Sequence, residues 1–214
     1  LLMLVPFFSA QDACTAVAAI FKAGITPSAL EFMERDALLW TQDFLKDNSI
    51  IIQENHAAHL LIEVDGFNQD VLMEECTKIM DVLAQFETDE ILFADSASQK
   101  DKLWRLRRTV GEAVKSHSIY KEEDTVVPRF ELPKLLAHVK LIGDKFGFKS
   151  VCYGHAGDGN LHVNIIKGEL TDDQWENEDV ELTINTNPFI TLKRSQMMWF
   201  FFFDIITQKP LNFK

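Results

Sequence analysis

Val151-Cys-Tyr-Gly-His-Ala-Gly-Asp-Gly-Asn-Leu-His-Val-Asn-Ile-Ile166 reads as two short strands joined by a tight turn. Asp158-Gly159 is a preferred central pair for a two-residue type I′ hairpin. With those two residues as the turn, Gly157 faces Asn160, His155 faces His162 and Tyr153 faces Asn164. Strand side chains alternate faces, so Tyr153, His155, His162 and Asn164 share one side. Leu161, Val163 and Ile165 line the other side, which is apolar and suits a core. Directly opposed side chains have Cβ atoms about 5 Å apart. Two imidazoles so placed can share one metal ion.

Outward from the hairpin, strand and helix signals alternate over 1–166. Residues 2–8 read as a buried strand. Ser9, with Asp12 three positions later, resembles a capping box for a helix with Ala13, Val17, Ile20 and Phe21 at helical spacing, stopped by Gly24. A strand is expected over 28–33, a helix over 36–47, and a strong strand over 59–65, closed by Gly66. Ile50-Ile-Ile52 gets no firm assignment. Asn68 caps a helix over 69–86, 90–94 is a strand, and Ser98 caps a helix over 99–117. Residues 120–124 are polar and loop-like, 125–129 form a short strand, and a helix over 132–146 ends at Gly147. No glycine-rich phosphate loop follows the first strand, and a hairpin is antiparallel by construction. Both features argue against a doubly wound parallel sheet. The expected fold class is α+β: a largely antiparallel sheet with helices on one face, close to a ferredoxin-like repeat.

Composition narrows the function. The formal charge of −12 is spread along the 214 residues, which disfavours a nucleic-acid or anionic-membrane surface. Three cysteines (Cys14, Cys76, Cys152) are far apart and odd in number, so a reduced, cytoplasmic protein is expected rather than a disulfide framework. The apolar runs 1–8 and 197–203 are both too short to span a bilayer. The chain begins with Leu1 rather than Met and reads as cut from something longer. Thr171 caps a turn of helix. From about 179 onward neither period is legible, and the apolar septet Met197-Met-Trp-Phe-Phe-Phe-Phe203 reads as a surface without a partner.

Two constellations carry chemistry. His155 and His162 read as neutral-imidazole ligands of a divalent ion, with Asn164 and Tyr153 beside them. The plain alternative is a pair of hydrogen-bonded strand histidines, and the pair is one ligand short of a catalytic zinc site. The second constellation is the stripe Trp104, Arg107, Arg108, Gly111 and Lys115. A guanidinium there suits bidentate capture of a carboxylate, and Gly111 leaves room beside the helix. Taken alone, a basic stripe on an acidic protein is more often a solvated face. His56, His59, His117 and His138 show no partner pattern, and no nucleophile motif is present.

Together these residues resemble the C-terminal domain of the FAD-linked oxidases, the group of the bacterial glycolate oxidase FAD subunit, the D-lactate dehydrogenases and D-2-hydroxyglutarate dehydrogenase. Gly154-His-Ala-Gly-Asp-Gly-Asn-Leu-His162 carries the resemblance. Leu103-Trp-Arg-Leu-Arg-Arg-Thr-Val-Gly-Glu-Ala113 and Asp124-Thr-Val-Val-Pro-Arg129 support it, with Pro6, Ala29-Leu-Glu-Phe-Met33 and His59-Leu-Leu-Ile-Glu-Val-Asp-Gly66. It covers about residues 1–178.

The resemblance implies a cap over a separate N-terminal FAD-binding domain of the same protein. Together the two oxidise a 2-hydroxy acid, of glycolate or D-lactate type, by hydride transfer to FAD. It also implies roles. His155 and His162 match ligands of a divalent metal such as zinc, which polarises the 2-hydroxyl. Asn164, Arg107 and Lys121 match substrate contacts, Arg107 the one that holds the carboxylate. Gly111 stands where some members carry threonine. An iron–sulfur or other electron-acceptor subunit is an implied partner, making the protein cytoplasmic and peripheral to a membrane through that partner. The family draws a further ligand and a catalytic histidine from a later Gly-Glu-His-Gly segment. Residues 179–214 contain no histidine, so no catalytic residue is assigned and the isolated chain is expected to be inactive. That tail is expected to be aberrant. The alternative from a different class is a non-catalytic ferredoxin-like module that binds a metal or a protein partner through the same hairpin.

Overall fold

Leu2–Phe7 forms β1, buried at all six positions, as a strand covered on both faces must be. The computed structural model describes residues 1–94, 96–175 and 191–192 and sets β1 in an eight-stranded sheet. The other strands are β2 (Ala29–Glu34), β3 (Ala58–Glu63), β4 (Leu92–Ala94), β5 (Tyr120–Val126), β6 (Lys149–Gly154), β7 (Asn160–Ile166) and β8 (Thr191–Leu192). Their spatial order is β4-β1-β3-β2-β6-β7-β5-β8, with every pairing antiparallel. The helices are α1 (Ala10–Lys22), α2 (Arg35–Leu45), α3 (Gln69–Leu83), α4 (Ala97–His117), α5 (Leu132–Phe146) and the short α6 (Asp172–Trp175).

The first four strands have the ferredoxin-like arrangement. β1 and β2 point the same way across α1, β3 lies between them antiparallel to both, and β4 flanks β1. α2 is an additional helix between β2 and β3. Helices α1, α3 and α5 pack on the face of Val5, Phe32, Leu60, Cys152 and Val163. To that extent the one-face expectation holds. α2 and α4 cover the opposite face, over Leu4, Met33, Leu61, Val151 and Tyr153, and this second layer encloses the site.

Local chemistry sets the helix ends. The Ser9 hydroxyl accepts from the Asp12 amide, and the Asn68 side-chain Oδ1 from the Asp70 and Val71 amides. Ser96 rather than Ser98 caps α4, because its side chain and that of Gln99 bond each other's backbone amides in a capping box. Residues 120–124 belong to β5 rather than to a loop. Their pairing with β7, not apolar periodicity, makes them a strand.

The hairpin turn also departs from expectation. A type I′ turn needs positive φ at both central residues. Here Gly159 has φ +74° and Asp158 is not in that region. Ala156–Asp158 instead form a 3-10 turn, with the His155 carbonyl accepting from Asp158 and Asn160. The longer turn shifts the register by two residues, so Tyr153 lies opposite His162 and Val151 opposite Asn164. The expected His155–His162 pairing is therefore corrected: His155 sits in the connection. Gly159 is needed for a second reason, since a Cβ there would stand 2.0 Å from the Val127 carbonyl oxygen. The reading of 179–214 lies outside the described residues, except for the two residues of β8.

Candidate functional site

One carboxylate joins the two constellations. Glu31 lies on β2 next to the strand edge that pairs with β6. The ladder ends at Phe32 opposite Gly154, and one step further Glu31 meets His155. Its Oε1 is 2.8 Å from His155 Nδ1. Its Oε2 accepts from Arg107 Nε at 2.9 Å and lies 2.7 Å from Nη2. Arg107 and Glu31 are both buried. Arg107 reaches the sheet because the α4 stripe Leu103, Leu106, Val110 and Val114 packs against it and turns the arginine inward. Its guanidinium also sits 5.7 Å from the centre of the Tyr153 ring.

The neighbouring strands add His162 and Asn164. The β5–β7 register sets Asp124 opposite His162 and Glu122 opposite Asn164. His162 Nδ1 is 3.3 Å from Glu122 Oε1 and 3.6 Å from Asp124 Oδ1. Neither contact is aligned as a hydrogen bond, so that buried nitrogen is left without a hydrogen-bond partner among the described residues. Asn160 Nδ2 donates to Asp124 Oδ1 at 2.6 Å and holds that carboxylate in place. Asn164 is fully buried, and its Oδ1 is a second orphaned acceptor. Burial pushes the Tyr153 phenol pKa up, as does the nearby Glu122. The hydrogen bond with Asn164 and the charges of Lys115 and Arg107 pull it back.

The α4 stripe divides. Arg107 reaches Glu31, Gly111 faces the Tyr153 hydroxyl, and Lys115 is 3.2 Å from Glu122. Arg108 instead lies over the Trp104 ring. Lys121 is not brought to the site. Strand alternation gives the site face to Glu122 and Asp124, so Lys121 points to the other side and donates to the Trp175 carbonyl at 2.7 Å. The space beside it is about 20 Å³, enough for no more than a water molecule. On the other side of Glu31 and His155 a polar cleft of about 290 Å³ opens, lined by Thr26, Ser28, Arg129 and Asp158.

The imidazoles of His155 and His162 lie near each other. Their ring centroids are 6.4 Å apart. An ion about 2 Å from one nitrogen of each ring would put them roughly 5–6 Å apart, closer than they stand. With Nδ1 of His155 taken by Glu31, its Nε2 is the nitrogen left for an ion. No group of three His, Cys, Asp or Glu side chains poised to hold a metal occurs among the described residues. A shared ion would find two nitrogens here and would need a further ligand.

Sequence reasoning missed Glu31, Glu122 and Asp124. A signal for Glu31 was present: a carboxylate inside the apolar strand Ala29-Leu-Glu-Phe-Met33 is rarely buried without a partner.

Comparison with solved structures fits this architecture to a known fold. Substrate-bound p-cresol methylhydroxylase superposes over 86% of this chain and 41% of its own, with TM-score 0.53 at 13% identity. 4-Ethylphenol oxidase from Gulosibacter chungangensis covers 77% and 38%, with TM-score 0.50 at 10% identity. The family is shown by sequence: the chain belongs to the FAD linked oxidases, C-terminal domain, whose family pattern matches residues 1–180.

Its relatives include the D-lactate dehydrogenase of Anaerostipes hadrus, 26% identical over 82% of this chain and 38% of the relative. The glycolate oxidase subunit GlcD of Escherichia coli K12 is 30% identical over 77% and 32%. The D-2-hydroxyglutarate–pyruvate transhydrogenase DLD3 of Saccharomyces cerevisiae is 34% identical over 67% and 31%. The chain thus spans about a third of the length of these relatives. No helix among the described residues is long and apolar enough to cross a membrane.

Proposed function

We propose that residues 1–178 form the substrate-facing domain of an FAD-dependent dehydrogenase acting on a small 2-hydroxy acid of glycolate or D-lactate type. The observation that carries this reading is the chain Arg107–Glu31–His155, buried at Arg107 and Glu31 and set on the sheet face that also presents His162 and Asn164. Glu31 occupies one side of the arginine fork. The Nη1 side suits a substrate carboxylate, held through paired N–H donors. The orphaned Oδ1 of Asn164 is an acceptor for the 2-hydroxyl proton, and such a buried group gains most from a partner. His155 and His162 would hold a divalent ion such as zinc, which lowers the pKa of a bound hydroxyl. Its further ligand would come from outside the described residues.

The residues present do not form a flavin cradle at the usual place. The β1–α1 turn, Phe8-Ser9, has no glycine, and the Ser9 hydroxyl takes the Asp12 amide there. FAD, which accepts the hydride in this chemistry, would be held by a separate domain of the same protein. An iron–sulfur or other acceptor subunit would reoxidise it.

The test is to express the chain joined to its natural flanking segments and record the flavin spectrum with glycolate, D-lactate and D-2-hydroxyglutarate. A yellow protein bleached by one of them is the expected result. A colourless protein, or a yellow one that none of them bleaches, would overturn the reading. A colourless protein that still binds zinc would favour a non-catalytic metal-binding module.

A further inference from the structure

We propose that Glu31 is the positioning residue of this site: one carboxylate orients both the His155 imidazole and the Arg107 guanidinium. This rests on the reading above for what the two side chains do, but not for the contacts themselves.

A carboxylate is acceptor-only, so each contact it makes sets the partner's proton. With Oε1 at 2.8 Å, His155 Nδ1 must carry its hydrogen. The neutral ring then keeps its lone pair on Nε2. The His155 side chain is 55% exposed although Nδ1 is bonded, and it lines the polar cleft. Nε2 is therefore the accessible nitrogen and a metal ligand by tautomer. The other oxygen acts on Arg107: Nε and Nη2 both converge on Oε2, which fixes the plane of the guanidinium and the direction of its remaining donors. Glu31 is itself only 5% exposed, so its carboxylate is largely shielded from water. The strand register puts it there, since it follows directly on the Phe32–Gly154 pair at the end of the β2–β6 ladder. The ion-binding and carboxylate-binding halves are thus aligned by one strand residue, and a change at either half is felt at the other.

Glu31→Gln separates this role from packing, because the shape is kept. Arg107 has donors only, so it takes the amide oxygen and leaves the amide N–H₂ to face His155. Nδ1 must then accept, the ring proton moves to Nε2, and the lone pair that an ion needs is lost. Losing such an outer hydrogen bond typically weakens metal binding 10–100-fold.

Two measurements decide the proposal. The first is the imidazole tautomer of metal-free protein, from nitrogen–proton correlation spectra at about pH 8, above the ordinary imidazole value of about 6.5. The His155 signal is assigned by its loss in His155→Gln. Wild type is expected to carry the proton on Nδ1, and Glu31→Gln on Nε2. A wild-type ring protonated on Nε2 would overturn the proposal even if the variant failed to fold. So would a folded Glu31→Gln protein whose tautomer is unchanged. The second is zinc affinity by competition with a chromogenic chelator, expected to fall 10–100-fold in Glu31→Gln. Equal affinity in the two proteins would overturn the proposal. If wild type bound no zinc, the metal reading would fail, and the tautomer would still decide the role of Glu31.

Discussion

The Tyr153 hydroxyl lies 3.3 Å from the point where a Cβ on Gly111 would stand. Glycine inside a helix costs about 1 kcal/mol relative to alanine. The contact is tight but meets the tip of a side chain, which can yield by a few tenths of an ångström. Gly111→Ala is therefore expected to leave stability unchanged or raised by up to about 1 kcal/mol, read from urea midpoints. The same displacement moves the hydroxyl relative to Asn164, and affinity for the 2-hydroxy acid should fall about tenfold, the worth of roughly one hydrogen bond. Unchanged affinity would remove Gly111 and Tyr153 from the binding site.

His59 supplies a pH dependence. It is almost wholly buried on β3, and neither ring nitrogen has a hydrogen-bond partner among the described residues. Burial, with a smaller push from nearby His56, lowers its pKa from the usual 6.5 to about 3. In the folded state the ring thus stays neutral where the unfolded chain already binds a proton. A depressed histidine contributes stability that is present above pH 6.5 and lost as the pH falls toward 3. At about pH 4.5 the loss should be on the order of 2–3 kcal/mol. His59→Leu removes the titration and breaks no hydrogen bond, so it should match wild type or better at neutral pH and flatten the acid limb. An equally steep acid limb in the variant would show that other groups cause it.

The hairpin shows what local sequence could and could not convey. The turn was misread because Asp158-Gly159 permits a type I′ turn without requiring one. Contacts distant in sequence, Gly159 against Val127 among them, decide the outcome. Yet a two-residue shift leaves every side chain on its own face, whereas a one-residue shift would have inverted them all. Tyr153, His162 and Asn164 were therefore placed on one face correctly; His155 is near them too, but in the connection rather than directly opposite His162. The first five residues of β5 were read as a loop for a related reason: they are polar on both faces, with Glu122 and Asp124 on the site side and Lys121 anchored to Trp175 on the other. Lys121 could be assigned to the site by motif only while the strand that orients it went unseen. Arg107 was legible as a carboxylate binder. That a carboxylate of the protein already holds it depended on a strand 76 residues away.

The Arg107–Glu31 pair also permits a stability test. Removing one member of a buried ion pair leaves the other charge uncompensated and typically costs 3–5 kcal/mol, while replacing both with apolar residues is often near neutral. Arg107→Ala should therefore lose about 3–5 kcal/mol in urea unfolding. Arg107→Met combined with Glu31→Leu should recover most of it, less the bond to His155. A double variant as unstable as the single one would mean that packing around the α4 stripe, rather than charge, dominates there.

Cys152 lies fully buried on β6, its amide donating to Glu34 at 2.7 Å. Burial pushes its thiol up to about 12, with Glu34 adding to the rise and Lys140 opposing it. Only the thiolate is nucleophilic, so at about pH 8 roughly one molecule in ten thousand carries it. Cys14 is equally buried and shifted in the same direction, and burial also raises Cys76. Native protein treated with iodoacetamide should therefore gain no adduct by mass spectrometry on a timescale of minutes. In denaturant all three cysteines should react. Fast labelling confined to Cys152 in the native state would mean that the helical layer packed on β6 parts from the sheet on that timescale, because Cys152 is fully buried within that layer's core.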